Sequence, residues 1–186
     1  MNILVIGHVD HGKTTFTCAI NSLLFYKYGI GDIGGILPTA PGTNVVTTKR
    51  SFDFSIGGTN YQYTDYPGIL DYQDMFEKGE EKYDAAVFVC AATDGPMPET
   101  KESLKLCAEH GISKLVIFAN KMDNVFDSEL ADLVIEEIRF VAEECGYSYD
   151  TPVVKGSAFK ALEDRDETYE KSIMDVLIAV HKICTK

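Results

Sequence analysis

The chain has 186 residues, 45% of them hydrophobic, and a formal net charge of −12. That length suits one domain with a real core, and the apolar share excludes a disordered chain, while no run approaches the roughly 20 apolar residues of a membrane span. The acidic balance excludes a free-standing nucleic-acid binder, which carries a basic footprint for phosphates, so any RNA contact is expected to be local or shared with a partner.

In chain order, Asn2–Ile6 is a short apolar run ending at Gly7, as in a buried strand, and Lys13–Lys27 carries Phe16, Ala19, Ile20, Leu23 and Leu24 at helical spacing. From Tyr28 to Lys49 the pattern loses periodicity and is rich in Gly, Pro and Thr; so long a loop in a compact domain is commonly functional. Phe52, Phe54 and Ile56 alternate with polar residues, and after Gly57-Gly58 so do Tyr61 and Tyr63, which predicts a hairpin. A helix is expected over Leu70–Tyr83, weakened at Gly79. Ala85–Ala92 and Lys114–Asn120 read as strands covered on both faces, with a helix over Pro98–His110 between them. Leu130, Val134, Ile138, Val141 and Cys145 mark another helix, "TPVVKGS" a last strand, and Ile173, Leu177, Val180 and Ile183 a closing helix. The run Glu163–Glu167 reads as a solvated loop leading into that helix.

This alternation predicts an α/β domain: a six-stranded, mostly parallel sheet with one antiparallel edge strand and helices on both faces. Residues 1–186 read as a single domain. Cys18, Cys90, Cys107, Cys145 and Cys184 lack zinc or redox spacing and read as reduced core thiols. His8, His11, His110 and His181 form no metal cluster with cysteines or carboxylates. "MNILVIG" is too short and too poor in basic residues for a secretory signal, so a cytoplasmic location is expected.

Gly7-His8-Val9-Asp10-His11-Gly12-Lys13-Thr14 matches G-x-x-x-x-G-K-[ST] and falls between a strand and a helix, as a phosphate loop must. The backbone from Val9 and Asp10 through His11, Gly12, Lys13, Thr14 and Thr15 would turn its N–H groups to a phosphate, helped by the positive end of the helix. Lys13 would reach the β- and γ-phosphates, and the Thr14 hydroxyl would bind Mg²⁺. Asp65-Tyr66-Pro67-Gly68 closes the hairpin's second strand; Asp65 would hold that metal through water and the Gly68 N–H could sense a γ-phosphate. Asn120-Lys121-Met122-Asp123 ends an apolar strand, where ligands of such sheets gather. A carboxylate there accepts from both N1–H and the exocyclic amine of guanine, an edge adenine does not present, so Asp123 reads the base and argues against a P-loop kinase or ATPase. Asn120 and Lys121 would brace the phosphate loop and pack on the base, and Ser157 and Ala158 would offer backbone N–H groups to the guanine oxygen.

In order and spacing these stretches resemble the GTP-binding domain of translation factors, elongation factor Tu above all; "GHVDHGKTT", "AATDGPMPET", "NKMD" and "GSAFKALE" are similar to that family's segments. The resemblance implies a Ras-like fold, GTP and GDP as ligands, Mg²⁺ as cofactor, catalytic roles for Lys13 and Asp10, and two switch segments over roughly Tyr28–Lys49 and Asp65–Tyr83. The family has a water-handling histidine after D-x-P-G; here that position is Ile69, which has no donor or acceptor, so weak or impaired intrinsic hydrolysis is expected. The family's magnesium-binding switch threonine falls on Thr43, Asn44 or Thr47 (or Val46) according to register, and Pro41 replaces a basic residue. Glu80 and Glu81 replace small residues on a surface that partners usually touch.

The family's β-barrel domains are not expected in these 186 residues, so tRNA binding is not expected either. A ribosome or an exchange or activating protein is the expected kind of partner. Two other readings stay open: a scaffold that keeps GDP as a structural ligand, and the first domain of an ordinary ribosome-stimulated translation GTPase.

Overall fold

The computed structural model describes residues 1–31, 49–79 and 81–185. Its strands are β1 (Asn2–Ile6), β2 (Arg50–Ile56), β3 (Thr59–Asp65), β4 (Ala85–Ala91), β5 (Leu115–Asn120) and β6 (Val153–Lys155). Its helices are α1 (Lys13–Tyr28), α2 (Ile69–Lys78), α3 (Pro98–Glu109), α4 (Ser128–Glu144) and α5 (Glu167–Cys184). They form one sheet in the order β2-β3-β1-β4-β5-β6. All its pairs are parallel except the β2–β3 hairpin, whose register runs from Arg50↔Asp65 to Ile56↔Thr59. The expected mostly parallel sheet with an antiparallel edge strand is the one observed. Gly57 and Gly58 both take positive φ, 59° and 81°, as a two-residue turn between right-twisted strands requires.

The period of two along each strand divides the core. Ile3 and Val5 of β1, Val87 and Val89 of β4, and Val116 and Phe118 of β5 face α1 and α5. Leu4 and Ile6, Phe88 and Cys90, and Leu115 and Ile117 face α2, α3 and α4. Burial of each such aliphatic or aromatic side chain contributes about 1.5–3 kcal/mol. That is why the central strands are apolar on both faces.

Helix ends follow local chemistry. Asp127 and Asp166 start α4 and α5, each carboxylate accepting two backbone N–H groups. The helix expected to reach Tyr83 stops at Lys78, because Gly79 takes φ 63° and reverses the chain. The acidic run after α4 is more structured than a plain loop: Glu163 and Asp164 belong to a π-helical turn, Lys160–Asp164, closed by Arg165 at φ 52°, and Asp166 is the α5 cap. Cys18, Cys90, Cys107 and Cys145 are buried free thiols, and burial pushes Cys18 up to about 11 and Cys90 and Cys107 to about 12, so they act as packing groups. Among the described residues no helix is long and apolar enough to cross a membrane.

Candidate functional site

All strands but β2 run the same way, so the C-terminal ends of β1, β3, β5 and β6 meet on one edge of the sheet, where the charged motifs fall. Gly7 leaves β1 at φ 143°; a Cβ there would stand 2.2 Å from the Val89 carbonyl oxygen, so only glycine lets the loop pass over β4. Asp10 (φ 64°) and Gly12 (φ 91°) curl the loop, and Gly12 also makes room for Asn120, whose Nδ2 would lie 2.4 Å from an added Cβ.

Gly12 starts α1 with no side-chain cap, and the first turn holds no acidic residue. The first N–H groups of Lys13, Thr14 and Thr15 therefore meet a positive helix end without a carboxylate, unlike those of α4 and α5. Lys13 is 6% exposed, and its Nζ donates to the His8 carbonyl at 3.2 Å. Burial lowers the Lys13 pKa against the pull of Asp65 and Asp10. Val9 and Asp10 are exposed at the loop's tip.

Asp65, fully buried at the end of β3, accepts a 2.7 Å hydrogen bond from the Thr14 hydroxyl through Oδ2, while its Oδ1 has no partner. Burial raises the Asp65 pKa, offset by Thr14, Lys13 and Arg50. A hydroxyl beside a carboxylate with an orphaned oxygen is a hard oxygen donor set, and these residues fit Mg²⁺, which binds through one or two such groups together with phosphate and water oxygens. Thr14 and Asp65 would hold it, and the ion would neutralise phosphate charge.

Asn120 ties the two halves of the site together. Its Nδ2 donates to the His11 carbonyl at 2.9 Å, and its Oδ1 accepts from the Ala158 N–H at 2.9 Å. The Ala158 amide, expected to face a guanine oxygen, is thus engaged by Asn120, and a base would share or take that donor. Ser157 is fully buried; its Oγ accepts from the Lys160 N–H. Lys121 takes φ 61° and starts the short 3₁₀ turn Met122–Asn124, which presents Asp123 half-buried and is anchored by the Met122 N–H on the Gly156 carbonyl at 3.0 Å.

Beyond Asp65, the Gly68 N–H donates to the Asp71 carboxylate at 2.9 Å, closing the first turn of α2. A γ-phosphate would have to displace Asp71 to reach that amide. Ile69 is the first residue of α2, half-buried and packed against the core on the α2–α3 side. Thr43, Asn44, Val46, Thr47 and Pro41, and most of the first switch segment, lie outside the described residues, as does Glu80.

Some residues at the site escaped the sequence. Asp94, in the turn after β4, lies 3.5 Å from Lys121 Nζ and 3.9 Å from His11 Nε2. The His11 ring is buried, its Nδ1 has no partner, and burial and nearby cations lower its pKa to about 4, so its approach to Asp94 is dipolar rather than an ion pair. Phe159 follows Ala158 and is 49% exposed, an aromatic ring at the rim beside the expected base site. Asp94 and Phe159 both stand inside the family-like segments "AATDGPMPET" and "GSAFKALE", but no motif gave either of them a role.

A parallel α/β sheet with an uncapped phosphate loop, a buried lysine and a carboxylate–hydroxyl pair at its strand ends defines a P-loop nucleotide-binding domain. The family model of the elongation factor Tu GTP binding domain matches residues 42–184, more than half of the chain, and the chain belongs to that family. It is a GTP-binding domain. The matched span carries Asp65, Asn120, Asp123 and Ser157; the loop from Gly7 to Thr14 precedes it and stands on its own sequence and geometry.

Proposed function

We propose that this domain binds GTP and GDP together with Mg²⁺ and cleaves GTP only weakly on its own. One observation carries the reading: a buried ammonium, Lys13, and a buried carboxylate, Asp65, stand at an uncapped helix start, each disfavoured as an ion by its burial. An anion beside Lys13 and a cation beside Asp65 would relieve both. Bound Mg²⁺ would supply charge neutralisation at the phosphates. Lys13 and the loop N–H groups bind and orient the phosphates, Asn120 keeps the loop in register with the base side, and Asp123 selects guanine. A cytoplasmic setting, and a ribosome or an exchange or activating protein as regulator, complete the proposal.

Denaturing freshly purified protein and identifying the released nucleotide tests it directly. Guanine nucleotide in the supernatant is expected. Empty protein that takes up neither GDP nor GTP at millimolar supply would overturn the reading.

The weak cleavage rests on Ile69. Hydrocarbon cannot orient or polarise water, and a positioned acid–base group contributes about 10²–10⁴-fold. Lys13 and the loop amides still stabilise charge, which leaves slow turnover. The substitution Ile69→His is expected to raise single-turnover GTP cleavage at least several-fold, with GDP affinity little changed; the assay follows labelled γ-phosphate with and without ribosomes. Fast wild-type cleavage that the substitution leaves unaltered would assign the water to another residue.

A further inference from the structure

The hairpin stops pairing at Arg50 and Asp65. One residue beyond on each strand stand Lys49 and Tyr66, and these are joined by side chains instead. The family resemblance places Glu81 on a surface that partners usually touch; in the structure its half-exposed carboxylate is engaged by side chains of this chain. Glu81 Oε1 accepts from Lys49 Nζ, and Oε2 accepts from the hydroxyls of Tyr83 and of Tyr66, the latter at 3.2 Å. Lys49 Nζ also lies 5.7 Å from the centre of the Tyr66 ring. Tyr66 is 6% exposed and adjoins Asp65, the carboxylate bonded to Thr14. A single carboxylate thus gathers the residue before β2, the residue after Asp65, and the segment that follows α2.

We propose that Glu81 is a positioning residue: by latching Lys49 to Tyr66 and Tyr83 it holds the Asp65–Gly68 segment against Thr14 and slows release of bound nucleotide. The proposal rests on the nucleotide reading above, and its chain-level part stands apart from it. Lys49 is the protein donor to Oε1 while Tyr66 shares Oε2 with Tyr83, so Lys49 cannot swing away without leaving one carboxylate oxygen without its protein partner, and Tyr66 is held through the oxygen that Tyr83 also fixes. The pair is partly exposed, with side chains 36% and 32% accessible, so its effect is kinetic tuning of the site rather than a large share of stability.

The test uses the whole chain and the variants Glu81→Gln, Lys49→Met and Lys49→Arg, with two readouts: release of fluorescent GDP in the presence of Mg²⁺, and amide hydrogen exchange of peptides spanning 49–52 and 65–68. Glu81→Gln and Lys49→Met are each expected to speed GDP release about three- to fivefold, the factor one hydrogen-bonded, partly exposed ion pair supplies. Exchange should rise in both peptides together and not in β4. The double variant should be no faster than either single one, and Lys49→Arg should restore the wild-type rate. Were Glu81→Gln to unfold, Lys49→Met, on an exposed side chain outside the strand, carries the same test. Unchanged exchange in both peptides, or additive effects of the two substitutions, would overturn the latch. Wild-type protein that binds no guanine nucleotide would sink the functional reading alone, and hydrogen exchange would then decide the latch by itself.

Discussion

Lys13→Ala is expected to abolish tight binding of GDP and GTP alike. The lysine has been drawn out of water at the first residue of α1, its ammonium satisfied by one carbonyl at 3.2 Å and disfavoured by its burial. A phosphate chain arriving there makes charge-assisted hydrogen bonds worth about 1.5–3 kcal/mol each. Losing two of them weakens binding on the order of 10²–10⁴-fold. The substitution has opposed effects on the empty protein. It removes an ammonium whose lowered pKa marks a cost that is present in full below that lowered value and fades as pH rises from it toward the ordinary lysine value. It also leaves Asp65, already pushed up by burial, with Arg50 as the remaining nearby cation. The melting temperature without nucleotide should therefore move little. What should vanish is the rise that GDP produces by mass action, about 2.7 kcal/mol at a hundredfold excess over the dissociation constant. Melting curves with and without millimolar GDP check this, and an undiminished GDP shift in the variant would remove Lys13 from the site.

Asp123→Asn is expected to cost guanine affinity on a similar scale while admitting xanthine. In the proposed role the carboxylate would accept two hydrogen bonds from the guanine edge; an amide offers one acceptor and one donor, so its NH₂ would face the exocyclic amine. Losing a charge-assisted pair and confronting two donors costs about 3–6 kcal/mol, or on the order of 10²–10⁴-fold. Xanthine carries an oxygen where guanine has the amine, and it matches the amide. The substitution is nearly isosteric at a half-buried position of a three-residue turn whose backbone is pinned by Gly156, so the fold should persist. Competition of GDP against xanthosine diphosphate measures the exchange of preference. GDP affinity equal to wild type would move base recognition elsewhere.

Local chemistry made much of the molecule legible. The paired glycines at 57 and 58 have one common use between alternating strands, and the apolar runs of β1, β4 and β5 are too continuous for a half-exposed sheet. Gly7, Gly12 and Lys13 announced a phosphate loop because few other structures need glycines at that spacing followed by a cation. The harder parts involve residues far apart in sequence. Nothing near Glu81 says that it will meet Lys49, and nothing near Ala158 says that its amide will be engaged by Asn120. Gly68 was read for a phosphate because the motif names it, while the structure gives its N–H to Asp71, an ordinary helix-start bond.

The order of elements, the two-sided core and the chemical inventory of the site were determined by the sequence itself, since hydrophobic period and turn chemistry act over a few residues. Which of those groups meet was decided only by the tertiary structure. Stacking β3, β1, β4, β5 and β6 in parallel brings Asp65, Lys13, Asn120 and Ala158 to one edge. There, burial creates what no motif encodes: an ammonium drawn out of water and a carboxylate oxygen without a partner. Side-chain pairing and desolvation depend on distance in space, and the fold sets that distance.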